Sequence, residues 1–148
     1  MKKRARDRLP KREAGSFPTF LYKSLDELEG AWGKSDVSTA LIERAHALHK
    51  KPLILLSDGE LALALSQQIG IQWIRTLALQ RLQQDPLKPD HFGDPGGLLR
   101  VALRTPIPVW NDLLPEIEKI ADGIVPTLRD DPTHSWLIET YDAFKNAI

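Results

Sequence analysis

Four histidines and several closely spaced carboxylates are the side chains best suited to chemistry in this sequence. His46 and His49 lie three residues apart and can share one helix face, as two ligands of a divalent metal would. No third ligand follows at a metal-binding spacing, so an ordinary pair of helical residues is the favoured interpretation. Glu116 and Glu118 are two residues apart and point in different directions on a helix, which disfavours a general acid–base pair. We expect no metal and no other cofactor.

Nucleophile and phosphate-loop patterns are also missing from the sequence. The chain has no cysteine, and therefore no thiolate nucleophile, no cysteine zinc site and no disulfide. Ser57, Ser66 and Ser135 lack the Gly-x-Ser-x-Gly context of a nucleophilic serine. The glycines within residues 93–97 lack the lysine and the serine or threonine of a P-loop. We therefore expect a binding protein and not an enzyme.

The elements that would position these residues are helices, because apolar residues recur at helical spacing and strand-like alternation is almost absent. We predict an all-α fold, a single compact bundle of about six to seven short helices. The length of 148 residues suits one domain with one core. Residues 1–20 are predicted to form a basic, flexible N-terminal extension, and residues 21–148 are predicted to form the helical domain.

Local signals mark where several of these helices begin and end. Ser24 and Glu27 have the spacing of a capping box, which predicts a helix start. Gly70 stands where a left-handed residue would end one helix before the next begins. Asp94, which precedes a proline, is predicted to be the N-cap of a helix over residues 98–104.

Charge is separated along the chain although the net charge is zero. Residues 1–13 hold seven basic residues against two acidic ones, and residues 106–148 hold eight acidic residues against three basic ones. A basic tail can bind phosphate backbones, and an acidic surface attracts a cationic partner. A floppy terminus and a solvated surface are the ordinary alternatives. The four tryptophans are predicted to lie in the core rather than to stack on bases: Trp32, Trp73, Trp110 and Trp136.

The sequence carries no membrane or secretion signal. No apolar run approaches the roughly 20 residues that a bilayer span needs. The basic N-terminus is not followed by the apolar stretch of a secretory signal. Together with the absence of cysteine, these features predict a cytoplasmic protein without membrane contact.

One ordered series of packing residues and stops extends from about Ser24 to Trp110. It consists of Ser24-Leu25-Asp26-Glu27-Leu28-Glu29-Gly30 with Trp32-Gly33, His46-Ala47-Leu48 before Lys51-Pro52-Leu53, Leu65, Gln67-Gln68-Ile69-Gly70, Leu77-Ala78-Leu79, Leu82 and Asp85-Pro86-Leu87. This series resembles the immunity proteins of bacterial contact-dependent growth inhibition (CDI) systems. The chain departs from the expected pattern at Asp94, which precedes Pro95 where the resemblance calls for an acidic residue after a Pro-Gly pair.

The resemblance implies a small cytoplasmic antitoxin. Such a protein binds, one to one, the toxin domain at the C-terminus of a cell-surface effector delivered by a neighbouring cell, so that sibling cells are protected. The toxins of these systems are commonly nucleases, and the immunity protein typically covers the active site or the substrate path. An alternative is a small nucleic-acid- or ribosome-associated protein that binds through its basic N-terminal tail, although nucleic acid is not the partner we expect.

Charge then predicts the contact surface, because a nuclease presents a cationic cleft to phosphates and carboxylates complement that cleft. The electrostatic candidates lie in the acidic third of the chain: Asp112, Glu116, Glu118, Asp122, Asp130 and Asp131. The loop candidates lie in the proline- and glycine-rich segment: Asp90, His91, Phe92 and Asp94. Phe92 would supply an apolar anchor.

Overall fold

The protein is all-α, as predicted. The structure is a computed structural model that describes residues 19–32, 39–90 and 92–148, and no strand is present among them. Residues 1–18, which hold most of the predicted N-terminal extension, lie outside the described residues, and so does His91. The chain divides into two compact units, Met1–Ser57 and Asp58–Ile148. The boundary predicted at residues 20 and 21 stays a prediction.

The described residues of the first unit form two α-helices, α1 (Leu25–Glu29) and α2 (Ala40–Lys50), that pack against each other. The capping box predicted at the start of α1 is confirmed. The Ser24 hydroxyl accepts a hydrogen bond from the Glu27 N–H at 3.2 Å, and the Glu27 carboxylate accepts one from the Ser24 N–H at 3.3 Å. Because these bonds satisfy N–H groups that a helix start leaves unpaired, a helix of little more than one turn begins at a fixed residue.

The second unit contains the other α-helices of the described chain: α3 (Asp58–Ser66), α4 (Ile71–Gln84), α5 (Gly97–Arg104), α6 (Ile107–Trp110), α7 (Leu114–Ile124) and α8 (Ser135–Ala147). Helix α5 packs against both α3 and α8, and α3 also packs against α4. The fully buried Trp110 donates its indole N–H to the Ala102 carbonyl at 3.0 Å. This bond satisfies the polar atom of the largest core side chain.

The connection from α3 to α4 contains two left-handed residues. Gly70 has φ of 57°, so its left-handed conformation is confirmed, but it is the N-cap of α4, and the prediction that it ends the preceding helix is wrong. Gln68 has φ of 53°, and the next N–H, that of Ile69, donates to the Ala64 carbonyl at 2.8 Å. This i to i−5 bond closes the end of α3, so Gln68 terminates the helix and Gly70 starts α4.

The start of α5 differs from the prediction. Gly96, with φ of 80°, is the N-cap, and the helix begins at Gly97. Asp94 contributes its backbone carbonyl, which accepts the Gly97 N–H at 2.9 Å, and not a side-chain cap. The prediction of Asp94 as N-cap is therefore wrong, because the chain turns through the positive φ of Gly96 before it enters the helix.

The four tryptophans differ in their burial. Trp110 is a core residue, as predicted, whereas Trp32 is 43% exposed and the prediction of a core position is wrong for it. Trp73 and Trp136 are half-buried.

None of the helices in the described ranges combines the length and apolar character that a bilayer-spanning helix needs.

Candidate interaction surface

The six acidic candidates lie on or beside α7, in the second unit, and the structure brings two of them together. Glu118 and Asp122 are four residues apart on α7 and share one cation from α8. The Lys145 ammonium lies 2.7 Å from Glu118 Oε2 and 3.1 Å from Asp122 Oδ1. The spacing of four residues places both carboxylates on one face of the helix.

Tyr141 completes this group, which we call the Lys145 cluster (Glu118, Asp122, Tyr141 and Lys145). The Tyr141 hydroxyl donates to Asp122 Oδ1 at 2.6 Å. This bond, followed by the neighbouring Lys145 ammonium, holds the pKa of the Asp122 carboxyl below its ordinary value. The bond to Glu118 and then that to Asp122 raise the pKa of Lys145. Lys145 therefore compensates one of the two carboxylate charges of this cluster within the protein.

Asp112 is also paired. Its carboxylate lies 3.3 Å from an Arg75 Nη1 that donates to the Trp110 carbonyl at 3.1 Å. Arg75 thus joins α4 to the turn between α6 and α7. The Asp112 side chain remains 74% exposed, so its carboxylate is accessible although a cation lies beside it.

Asp131 is a capping residue. Its Oδ1 accepts the Thr133 N–H at 3.0 Å and the Thr133 hydroxyl at 2.6 Å, at the start of the 3₁₀ turn Pro132–His134. The Thr133 hydroxyl and then its N–H lower the pKa of the Asp131 carboxyl, because both bonds favour the ionised form. This carboxylate has a structural role at the entry to α8.

Glu116 and Asp130 are exposed and form no ion pair or capping bond within the part of the chain that the structure describes. Glu116 is two residues from Glu118 on α7 and therefore lies on a different side of that helix. Of the six acidic candidates, these two are the ones without an ion pair or a capping bond among the described residues. The remaining four are engaged with Arg75, Lys145 or Thr133.

The loop candidates belong to a segment held by the Asp90 carboxylate. Asp90 Oδ1 accepts the backbone N–H of Phe92 at 2.8 Å and that of Asp94 at 3.1 Å. The two ends of the segment are also joined, since the Leu98 N–H donates to the Lys88 carbonyl at 3.2 Å. Asp90 is thus occupied in shaping the loop, while Asp94 is exposed and Phe92 is 76% exposed at its tip.

The two histidines predicted to be an ordinary helical pair lie in the first unit. His49 is buried on α2, and its Nδ1 pairs with the Asp26 carboxylate of α1. The exposed Trp32 ring packs on both imidazoles, with centroid distances of 4.3 Å to His49 and 5.1 Å to His46. Sequence spacing gave no sign of this contact, because Asp26 and His49 are 23 residues apart.

Comparison with known proteins adds one match. A family model described as CDI immunity proteins matches residues 26–120, about two thirds of the chain. No curated protein and no solved structure matches it. The matched range includes α1 except its first residue, α2 to α6, most of α7 and the loop that carries Phe92.

Proposed function

Because the chain belongs to the family of CDI immunity proteins, we propose that it binds one cognate toxin domain, one to one, and blocks that toxin's active site or substrate path. The role of an immunity protein follows from the family. The match over residues 26–120 is the observation that carries this proposal. Neutralisation by binding needs a complementary surface and no catalytic group on this chain.

We propose further that the toxin is a nuclease and that carboxylates of the second unit contact its cationic cleft. Support comes from the charge distribution, since this unit holds thirteen acidic residues against eight lysines and arginines. Glu116 and Asp130 are the primary electrostatic candidates, because neither is compensated within the described chain. The other four candidates contribute to the same electrostatic attraction, although neighbouring groups already bind their carboxylates: Asp112, Glu118, Asp122 and Asp131. Long-range attraction of this kind acts mainly on the association rate.

The loop of Asp90, Phe92 and Asp94 is proposed as the apolar part of the contact. A bulky aromatic ring that is three-quarters exposed leaves water on binding and contributes more energy than most interface residues. Asp90 holds the loop backbone through two hydrogen bonds, so little ordering remains when the partner binds. His91, which lies outside the described residues, remains a candidate of the same loop.

The first test is co-purification of this protein with the toxin domain encoded immediately upstream, followed by a titration and a toxin activity assay. We expect nanomolar one-to-one binding with loss of toxin activity. Deletion of residues 1–13 should leave neutralisation intact. If the wild type does not bind the toxin, or if the deletion abolishes neutralisation and also abolishes binding to nucleic acid, the proposal is wrong.

The acidic surface is tested by the double variant Glu116→Lys and Asp130→Lys. Neither side chain supports the fold through an ion pair in the described chain, so the variant should fold normally. Its association rate with the toxin should fall about tenfold and become less sensitive to salt. The control is Glu43→Lys, which changes the charge in the same direction at an exposed position of α2 in the first unit. Equal association rates for the double variant, the control and the wild type would exclude this surface.

A further inference from the structure

A groove lies between α5 and α8 of the second unit, and none of the residues that line it is a contact candidate proposed above. It has a volume of about 600 Å³ and is floored by the connection from α5 to α6. Its walls are mostly apolar, and the side chains that matter for recognition are Arg100, Leu103, Arg104, Ile107, Glu139 and Phe144. A smaller depression adjoins it and shares Arg104, so this arginine stands between two concave surfaces.

The two arginines of the groove differ from the other arginines of this unit. Arg75, Arg81 and Arg129 each form an ion pair, with Asp112, Asp58 and Asp142 respectively. Within the described chain Arg100 and Arg104 form none. They are four residues apart on α5, so two like charges lie side by side on one helix face. Such a pair weakens the helix slightly unless an anion lies between or beside the charges.

The guanidinium of Arg100 is already held in place. Its Cζ lies 5.2 Å from the centroid of the Trp136 ring, which is a cation–π contact. Its Nε is buried and has no hydrogen-bond partner among the described residues. A planar guanidinium that stacks on a ring and forms no ion pair within the described chain is suited to binding a carboxylate through its terminal N–H groups.

The surroundings favour an acidic peptide over a nucleic acid. The second unit as a whole is acidic, so it repels an extended polyanion. A short segment with one carboxylate can instead bind Arg100 and Arg104, which outnumber Glu139, the one acidic residue that lines the groove. Leu103 and Ile107 present aliphatic surface, and single-stranded nucleic acids are usually held by aromatic rings on which bases stack. Apolar walls beside paired cations match a carboxylate side chain flanked by an apolar one.

We propose that this groove binds an acidic segment of the toxin, with a carboxylate on Arg100 and Arg104 and a neighbouring apolar side chain between α5 and α8. The inference rests on the proposed function, since the toxin is its partner. The groove would be a second contact with the toxin, and it is basic where the other proposed contact surface is acidic. A toxin that lacks either a cationic cleft or a matching acidic segment would then be rejected, which gives specificity.

The test compares two variants with the same change of charge, Arg104→Glu in the groove and Lys119→Glu at an exposed position of α7. Attraction between this protein and a cationic toxin predicts that added negative charge strengthens binding at either position. The groove contact predicts the opposite sign at Arg104. We expect Arg104→Glu to raise the Kd for the toxin domain at least about tenfold, Arg104→Gln to raise it less, and Lys119→Glu to leave it unchanged or lower it. Circular dichroism checks that each variant is folded.

The outcomes separate this inference from the proposed function. Normal binding by the wild type with an unchanged or lower Kd for Arg104→Glu overturns the groove contact and leaves the antitoxin role intact. Absence of wild-type binding overturns both. A final experiment measures the oligomeric state of the protein without the toxin by sedimentation. Self-association that Arg104→Glu abolishes would assign the groove to a second copy of this chain and overturn the proposal.

Discussion

Replacement of Gly97 by alanine tests how the Phe92 loop is built. Gly97 is the first residue of α5, and a Cβ placed on it would lie 2.4 Å from Asp90 Cγ and 2.5 Å from Asp90 Cβ. These distances are too short for van der Waals contact. The Asp90 side chain must therefore move away, and its two hydrogen bonds to the backbone N–H groups of Phe92 and Asp94 must lengthen or break.

The size of the effect follows from two opposing contributions. Alanine is favoured over glycine in a helix by about 0.5–1 kcal/mol, and less than that in the first turn. Hydrogen bonds to a charged acceptor contribute about 1.5–3 kcal/mol each when buried. Both bonds here are exposed, so water replaces part of the loss and about 1 kcal/mol for each is appropriate. We expect Gly97→Ala to lower the free energy of unfolding by about 1–2 kcal/mol.

Gly123→Ala is the matched control, because Gly123 lies inside α7 and a Cβ on it would meet no atom within 4 Å. The same substitution should there raise the free energy of unfolding by about 0.5–1 kcal/mol. Urea unfolding followed by circular dichroism measures both values. A Gly97→Ala variant as stable as the wild type would refute the close packing of Asp90 against α5. Under the proposed function, Gly97→Ala should also weaken toxin binding, because Phe92 loses its support.

Two further substitutions test the second unit. Trp110→Phe removes the buried indole N–H that donates to the Ala102 carbonyl and leaves a small void, so the free energy of unfolding should fall by about 2–3 kcal/mol in a urea titration. Tyr141→Phe should raise the pKa of the Asp122 carboxyl toward 3.8, as read by NMR titration of that side chain. A carboxyl with a lowered folded-state pKa stabilises the fold above its ordinary pKa and loses this contribution as the pH falls through the folded value. The variant should therefore lose less stability than the wild type on acidification below about pH 4, and equal acid sensitivity would contradict this role for Tyr141.

The ion pairs of the acidic third, residues 106–148, alter the interpretation of its charge pattern. Eight acidic residues against three basic ones suggested a broad acidic face, but Lys145 and Arg129 bind carboxylates of that same region. Among the six electrostatic candidates, Glu116 and Asp130 are the two without an ion pair or a capping bond in the described chain. The electrostatic candidates are thus unequal, and experiments should begin with those two residues.

The sequence predicted structural features that depend on residues close to one another in the chain. The Ser24 capping box and the left-handed conformation of Gly70 are confirmed, since each depends on backbone sterics and hydrogen bonds between near neighbours. The prediction of Asp94 as a cap failed because Gly96, two residues later, turns the chain more easily than any residue with a side chain. The ordered series of turns and packing residues also indicated the family, which the match over residues 26–120 confirms.

The tertiary structure decided which charges are free. Lys145 and Glu118 are 27 residues apart, and Asp112 and Arg75 are 37 apart, so no local pattern indicated that they pair. The same holds for the groove, where helix packing brings Arg100 and Arg104 of α5 beside Glu139 of α8, far apart in the sequence. Sequence determines local conformation because the interactions are short in range and similar in every protein. Partner choice among charged side chains depends instead on how helices pack, and that is settled only when the whole core is formed.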